Sequence, residues 1–331
     1  PYLNVRIRDE GGRLVQEPGE KEIPISFLSM TEEEFEEYVK DFVRPFAITH
    51  EELARIAVVK TERGACLLTD FHHMIFDGGS MNLFLSQVAK ACEGIAPKKE
   101  TYSYYDFARK EVKEEGQAHY QQAQQYYTRL LKDFEHVTDL PPDAGREEAA
   151  GRRLEAVAPF DLKPVDAFCR TYAVTPAHLF LAGTFYTLCR YTFSKEAYIC
   201  TISNGRSDLR LQDSVGMFVK TLPLSASIGG EKSVREFVEE AKAAMLDAIE
   251  YEDYPFTKLS SDYGFAPRIM YACQLGVLEE IQVNGEALKE KSLEADTLKF
   301  PLSVHIEERD GKSSVCIAYN DALYSQELAE S

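Results

Sequence analysis

The chain has 331 residues, 44% hydrophobic and 28% charged, which is ordinary for a soluble globular protein and long enough for about two domains. Its formal net charge of −18 argues against wrapping of nucleic acid and against binding to an anionic membrane surface, because phosphate binding needs clustered Lys and Arg. No apolar run approaches the roughly 20 residues of a membrane-spanning helix.

The N-terminus begins at Pro1 and lacks both a starting methionine and the charged and apolar regions of a signal peptide. We therefore expect an internal fragment of a longer protein. The seven cysteines are scattered, odd in number and without a CxxC pair. Buried free thiols in a reducing environment are the expected state, which predicts a cytoplasmic protein.

The first elements of the chain are strands and one capped helix. Alternating apolar residues predict a strand over residues 3–8. Thr31, followed by three glutamates, predicts the start of a helix, because it supplies a capping hydroxyl and acids for the first turn. Residues 54–60 and 65–71 then form a predicted hairpin that leads into the most distinctive stretch of the sequence.

That stretch is His72-His73-Met74-Ile75-Phe76-Asp77-Gly78-Gly79-Ser80, which precedes a helical apolar pattern over residues 81–91. Adjacent strand residues point to opposite faces, so the two histidines are poorly placed to share a metal, and no third ligand is spaced nearby. A histidine is a suitable proton carrier for acyl transfer, and Asp77 could orient it or pair elsewhere. A buried histidine beside an Asp helix cap explains the same residues without any activity, and both interpretations stay open.

Two neighbouring features give weaker signals. Ser80 has no GxSxG context, and Gly78-Gly79 lacks the rest of a phosphate-binding loop, so a nucleophile and a nucleotide site are poorly supported. Tyr102, Tyr104 and Tyr105 could form an aromatic platform for a ligand, but aromatic residues at the start of a helix are more often packing anchors.

A helical segment over residues 105–134, with a break at Gly116, ends the first half of the chain. The Pro-rich and charged residues 139–153 that follow are typical of an exposed connection. We therefore predict two lobes, an N-terminal one over residues 1–145 and a C-terminal one over residues 146–331.

The second lobe shows both strand and helix patterns. Thr175-Pro176 predicts a helix start, because proline is favoured at the first helical position. The predicted strands cover residues 154–160, 197–203, 269–275, 302–308 and 313–319, and the predicted helices cover 162–172, 176–191 and 234–249.

Four motifs, in the correct order, resemble those of the condensation domains of non-ribosomal peptide synthetases. These domains belong to the HHxxxDG acyltransferase superfamily, which includes chloramphenicol acetyltransferase. The matching stretches are His72 to Ser80, Tyr105-Asp106-Phe107-Ala108, Gly205-Arg206 with Val215 to Leu224, and Glu252-Asp253-Tyr254-Pro255-Phe256. The chain departs from the family pattern at Lys220, where Asn is usual, and the motif RHExLRTxF is absent.

The resemblance implies an α/β fold of two chloramphenicol-acetyltransferase-like lobes, each an α+β two-layer sandwich, arranged as a V-shaped pseudo-dimer with a tunnel between them. It also suggests that the first elements of the N-terminal lobe and the last elements of the C-terminal lobe are missing. The implied activity is amide bond formation between a carrier-bound aminoacyl or peptidyl thioester and the amine of a carrier-bound acceptor.

The resemblance also assigns roles to single residues. His73 is the implied catalytic residue, as a base or as a positioning group, while His72 orients the loop. Asp77 is expected to pair with Arg206 across the lobes, and the Gly78 N–H is a candidate oxyanion donor. The candidates for the substrate tunnel are Gly79, Tyr105, Gly216, Phe218 and Lys220.

The implied partners are donor and acceptor peptidyl carrier proteins and adjacent adenylation domains, with no nucleic acid and no membrane. The domain itself is expected to bind no cofactor and no metal, since its substrates arrive on phosphopantetheine. Three alternatives remain open: a coenzyme-A-dependent acyltransferase, an epimerisation domain of the same superfamily, and a non-catalytic recruitment module.

Overall fold

The computed structural model describes two compact units. The first combines the described parts of residues 1–113, 206–219 and 280–295, and the second those of 114–205, 220–279 and 296–331. The described residues are 3–19, 22–132, 134–148, 151–275, 281–283, 285–289, 291, 293, 298–309 and 311–331.

These units differ from the predicted division of the chain at residue 145. Residues 114–145 pack with the second unit, because Ala123 and Tyr127 share an apolar cluster with Tyr254 and Phe265. Residues 206–219 pack with the first unit. The division differs because distant parts of the chain contact one another, and a local sequence pattern does not predict such contacts.

In its described residues the first unit contains short sheets, three α-helices and the 3₁₀ helix Leu209–Asp213. Its strands are β1 (Val5–Asp9), β2 (Leu14–Pro18), β3 (Ile25–Ser29), β4 (Ala54–Thr61), β5 (Gly64–Phe71), β10 (Gln282–Val283) and β11 (Glu286–Ala287), and its helices are α1 (Glu32–Phe42), α2 (Gly78–Cys92) and α3 (Tyr104–Glu114). β1 pairs with β2, β10 pairs with β11, and the third sheet has the order β3-β4-β5.

The predicted hairpin and the predicted cap are confirmed. β4 and β5 pair antiparallel from Ala54 opposite Phe71 to Thr61 opposite Gly64. Thr31 and Glu34 form a capping box at the start of α1. β3 was not predicted, because most of its residues are exposed and carry no clear apolar alternation.

The second unit contains a six-stranded sheet and helices that pack against it. Its strands are β6 (Arg153–Pro159), β7 (Glu196–Ser203), β8 (Lys220–Ser227), β9 (Ile269–Cys273), β12 (Leu302–Arg309) and β13 (Lys312–Asn320). They pair in the order β6-β13-β12-β9-β7-β8. The helices are α4 (Ala118–Leu130), α5 (Leu162–Tyr172), α6 (Pro176–Tyr191), α7 (Val234–Glu250), α8 (Phe256–Tyr263) and α9 (Gln326–Glu330).

The core of this unit lies between the sheet and α6, as the apolar sequence of α6 predicts. Leu181 and Phe185 of α6 are fully buried against Ile199 and Tyr271 of the sheet. The predicted break at Gly116 is also confirmed, since α3 ends at Glu114 and Gly116 has a φ of 80°.

We expect Ala173→Gly to raise the free energy of unfolding by about 1 kcal/mol, because a left-handed backbone costs an L-residue about that much. Ala173 caps α5 at φ 51° and ψ 44°. Urea unfolding measures the change. Ala243→Gly, in the exposed interior of α7, is the control and should instead destabilise by about 1 kcal/mol. Equal or lower stability of the Ala173 variant would contradict the expectation.

Candidate active site

The candidate site is the turn between β5 and α2. The backbone N–H of His72 donates to the carbonyl of Leu53 at 2.9 Å, and that of Ile75 donates to the carbonyl of His72 at 3.0 Å. α2 begins at Gly78, three residues before the predicted start, because the Asp77 carboxylate caps the helix and accepts from the Ser80 N–H at 2.7 Å. The turn is therefore held at both ends.

The ring of His73 has a defined tautomer. Its Nδ1 lies 2.8 Å from the carbonyl oxygen of Phe76. A carbonyl oxygen can only accept, so Nδ1 carries the hydrogen and the lone pair of the neutral ring is on Nε2. The residue is exposed. His73 thus exposes a basic nitrogen, and the hydrogen bond to the Phe76 carbonyl fixes the orientation of its ring.

His72 has the opposite tautomer. Its Nδ1 accepts from the backbone N–H of Met74 at 3.1 Å, so its hydrogen is on Nε2. Burial, followed by the charge of His73, lowers the pKa of His72 below its ordinary value. Its ring also meets the Phe46 ring edge-on, with centroids 5.7 Å apart. His72 therefore contacts the loop through its Nδ1 and packs against Phe46.

Asp77 lies at the centre of a buried polar network and is 3% exposed. Its Oδ1 accepts from the Ser80 N–H and from Nη2 of Arg206 at 3.1 Å, and its Oδ2 accepts from the Phe218 N–H at 2.8 Å. The expected ion pair with Arg206 is present. Arg206 belongs to the same compact unit as Asp77, whereas the resemblance had put it in the other lobe.

Arg206 fixes the segment of residues 206–219. Its Nη1 donates to the carbonyls of Leu211 and Ser214 at 2.6 and 2.7 Å. Its guanidinium lies over the Phe218 ring, 4.3 Å from the centroid. The guanidinium thus joins the carboxylate of the turn to the backbone of a distant loop.

Ser80 is a site residue whose role the sequence reasoning missed. Its side chain is fully buried, and its hydroxyl donates to the carbonyl of Gly216 at 2.8 Å. The same oxygen accepts from the Gly216 N–H at 3.0 Å and from Nη2 of Arg206 at 2.9 Å. Ser80 and Gly216 are 136 residues apart, so no local pattern could have revealed this contact.

The side chains of Tyr104, Phe107 and Phe218 form an aromatic cluster at the segment of residues 206–219. The Phe218 ring is fully buried, with its centroid 5.3 Å from that of Tyr104 and 5.2 Å from that of Phe107. Burial raises the pKa of Tyr104 to about 12. A Cβ at Gly216 would lie 2.5 Å from the Tyr104 ring, so only glycine fits there. The assignment of Gly216 and Phe218 to a substrate tunnel stays a prediction.

The two glycines that begin α2 have different surroundings. A Cβ at Gly79 would lie 3.0 Å from Nε of Arg206, whereas one at Gly78 would meet nothing within 4 Å. Among the described residues neither N–H has an acceptor, as expected for the first positions of a helix. Within the described parts of the chain, the space beside Gly78 is therefore open.

The remaining candidates are Tyr105 and Lys220. Tyr105 is half-buried against the apolar cluster that includes Ile75 and Phe76, and burial raises its pKa. Lys220 begins β8 of the second unit, opposite Ser203 of β7. Their roles toward a substrate stay predictions.

Neither a metal cluster nor a membrane span is found in the part of the chain that the structure describes. No three or more His, Cys, Asp or Glu side chains are grouped there so that they could hold a metal ion. None of the helices in the described ranges combines the length and apolar character that a bilayer crossing requires.

Residues 3–331 match the family model described as "Condensation domain". Among curated proteins, the chain is 29% identical to surfactin synthase subunit 2 of Bacillus subtilis (strain 168), over 89% of the chain and 8% of that protein. It is 31% identical to bacitracin synthase 1 of Bacillus licheniformis, over 72% of the chain and 5% of that protein. The chain thus spans less than a tenth of the length of these relatives.

Solved structures with the same fold include three kinds of domain. The X-domain from teicoplanin biosynthesis has a TM-score of 0.83 at 16% identity, covering 99% of this chain and 80% of that one. A starter condensation domain of the rhizomide synthetase has a TM-score of 0.80 at 16% identity, covering 98% and 79%. An epimerization domain of tyrocidine synthetase B has 0.76 at 17%, covering 98% and 81%. The predicted fold class is confirmed.

Proposed function

Because the chain belongs to the condensation-domain family, we propose that it forms an amide bond between a donor acyl thioester and the amine of an acceptor, each held on the phosphopantetheine arm of a carrier protein. One observation carries the proposal. His73 is exposed, and its Nδ1–H is bound to the Phe76 carbonyl, so its Nε2 is available as a base. Adjacent adenylation domains are the proposed source of the loaded aminoacyl groups.

The proposed step needs one proton carrier. Nε2 of His73 takes a proton from the acceptor nitrogen, and that nitrogen attacks the carbonyl carbon of the donor thioester. The C–S bond then breaks, and the proton passes from the imidazolium to the departing phosphopantetheine thiolate. Proton transfer by a positioned histidine contributes about 10²–10⁴-fold to such a rate.

The first turn of α2 supplies the second part of the proposed chemistry. The Gly78 N–H lies at the N-terminus of a 15-residue helix, where unpaired N–H groups and the helix dipole favour negative charge. As the nitrogen attacks, charge develops on the thioester oxygen, and this N–H can donate to it. The open space at Gly78 gives the thioester room to approach.

A non-catalytic recruitment module is the second candidate, since the X-domain shares the fold at a TM-score of 0.83 and one solved structure shows that domain in complex with OxyB. The defined tautomer of His73 favours a catalytic domain over a recruitment module, because a module that only binds a partner does not need an oriented basic nitrogen. Epimerisation is the third candidate, since an epimerization domain also shares the fold.

The experiment uses the full-length protein with donor and acceptor carrier proteins that a phosphopantetheinyl transferase has loaded from a panel of aminoacyl-coenzyme A thioesters. Mass spectrometry of the carriers should show a dipeptidyl group on the acceptor. Turnover of the coenzyme A thioesters without any carrier would indicate a coenzyme-A-dependent acyltransferase instead. Deuterium uptake from D2O at the Cα of the donor, without amide formation, would indicate epimerisation. Carrier binding without either reaction would favour the recruitment module.

We expect Gly78→Ala to lower kcat for amide formation by about 10- to 100-fold, because a methyl group would displace the thioester carbonyl by about 1 Å. The free energy of unfolding should change by less than about 0.5 kcal/mol, since the added Cβ meets no protein atom. Gly183→Ala, at an equally open position in α6, is the matched control and should leave kcat unchanged. Wild-type activity of the Gly78 variant would exclude a close approach there.

A further inference from the structure

We propose that Ser80 is a positioning residue for the reaction, acting through the Asp77–Arg206 pair on the ring of His73. The inference rests on the proposed function. The Ser80 hydroxyl makes three hydrogen bonds, two with the backbone of Gly216 and one with Arg206, and the side chain has no exposed surface. A hydroxyl with one donor and two acceptor sites is thereby fully used.

The partners of Ser80 complement those of Asp77. Asp77 binds Arg206 and the Phe218 N–H, so it holds the two ends of the segment of residues 206–219. Ser80 binds the N–H and the carbonyl of Gly216, which lies between them. Since a Cβ at Gly216 would lie 2.5 Å from the Tyr104 ring, Gly216 cannot move toward that ring to relax. Ser80 therefore fixes the distance between α2 and the loop.

The link from Ser80 to His73 is short. Nη2 of Arg206 binds both the Ser80 hydroxyl and Oδ1 of Asp77. Asp77 follows Phe76 in the chain, and the Phe76 carbonyl accepts from Nδ1 of His73. Without the hydroxyl, Arg206 and the first turn of α2 can shift, and the Phe76 carbonyl shifts with them. Nε2 of His73 then points away from the attacking nitrogen.

The test compares Ser80→Ala and Ser80→Cys in the full-length protein. The substrates are the loaded donor and acceptor carriers whose aminoacyl groups the wild type links by an amide bond. Cysteine keeps the unbranched shape of the side chain with a somewhat larger atom, but its thiol is a weak donor and acceptor. We expect kcat to fall by about 10- to 100-fold in both variants, with the KM for the acceptor carrier unchanged. Hydrogen exchange should also speed up at the amide of Gly216, which loses its acceptor.

Thr201→Val is the matched control, because it removes another buried hydroxyl, which donates to the Tyr271 carbonyl at 2.9 Å in the second unit. It should lower Tm and leave kcat unchanged. If the Ser80 variants likewise lose Tm but keep kcat, Ser80 is only structural and the proposal is wrong.

Unchanged hydrogen exchange at the Gly216 amide in the Ser80 variants would overturn the proposal. This holds even if the wild type forms no amide bond with any loaded carrier pair. Absence of amide formation by the wild type, in contrast, would refute the proposed function. The two failures are thus distinguishable.

Discussion

Replacing His73 by alanine should lower kcat for amide formation by about 10²–10⁴-fold, because the base that accepts the proton of the acceptor nitrogen is lost. The KM for either carrier should change little. One ring nitrogen of His73 is already bound to the Phe76 carbonyl, so only the other nitrogen takes part in the reaction. Single-turnover mixing of loaded donor and acceptor carriers with the full-length protein measures the effect. Added imidazole should restore part of the rate.

His119→Ala is the control for this variant. His119 is an exposed histidine of the second unit, with Nε2 3.7 Å from a carboxylate oxygen of Asp253. Its loss should leave the rate unchanged. A His73→Ala variant that condenses as fast as the wild type would remove His73 from the chemistry and favour a role in binding alone.

Replacing Asp77 by asparagine should destabilise the first unit by about 3–5 kcal/mol, because it leaves the buried Arg206 without its counter-charge. The amide keeps the shape of the carboxylate, so the effect reports charge rather than volume. The Phe218 N–H also loses a charged acceptor. Hydrogen exchange along α2 and residues 206–219 measures the change in that unit alone.

The control for the ion pair lies on the protein surface. Glu37 and Lys40 of α1 are 2.6 Å apart, with both side chains more than two-thirds exposed. Glu37→Gln should leave hydrogen exchange of the first unit unchanged, because exposed pairs contribute little. If Asp77→Asn behaved in the same way, the buried pair would have no structural role.

The sequence alone predicted the framework of the site. Apolar patterns predicted β5 and α2, but the turn between them is three residues shorter than predicted, because α2 begins at Gly78. The tautomers of His72 and His73 were beyond prediction, because they depend on which backbone atom each Nδ1 meets. The Asp77–Arg206 pair came from the resemblance to a family and not from spacing.

What the sequence could not predict lies in contacts between remote segments. The roles of Ser80 and Gly216 depend on a loop that lies 136 residues further along the chain. The packing of residues 114–145 with the second unit depends on side chains near Tyr254. Periodicity describes which face of an element is apolar, but it cannot tell which partner covers that face.

The distance along the chain between Asp77 and Arg206 has a consequence for synthesis of the protein. The two residues are 129 positions apart, and a ribosome adds about 5–20 residues per second. Arg206 is therefore synthesised roughly 6–26 s after Asp77. Through this interval the nascent turn has neither Arg206 nor the Gly216 and Phe218 backbone to fix it. The site is therefore assembled only after β7 has been translated, and a polypeptide that stops earlier has the histidines but not the geometry.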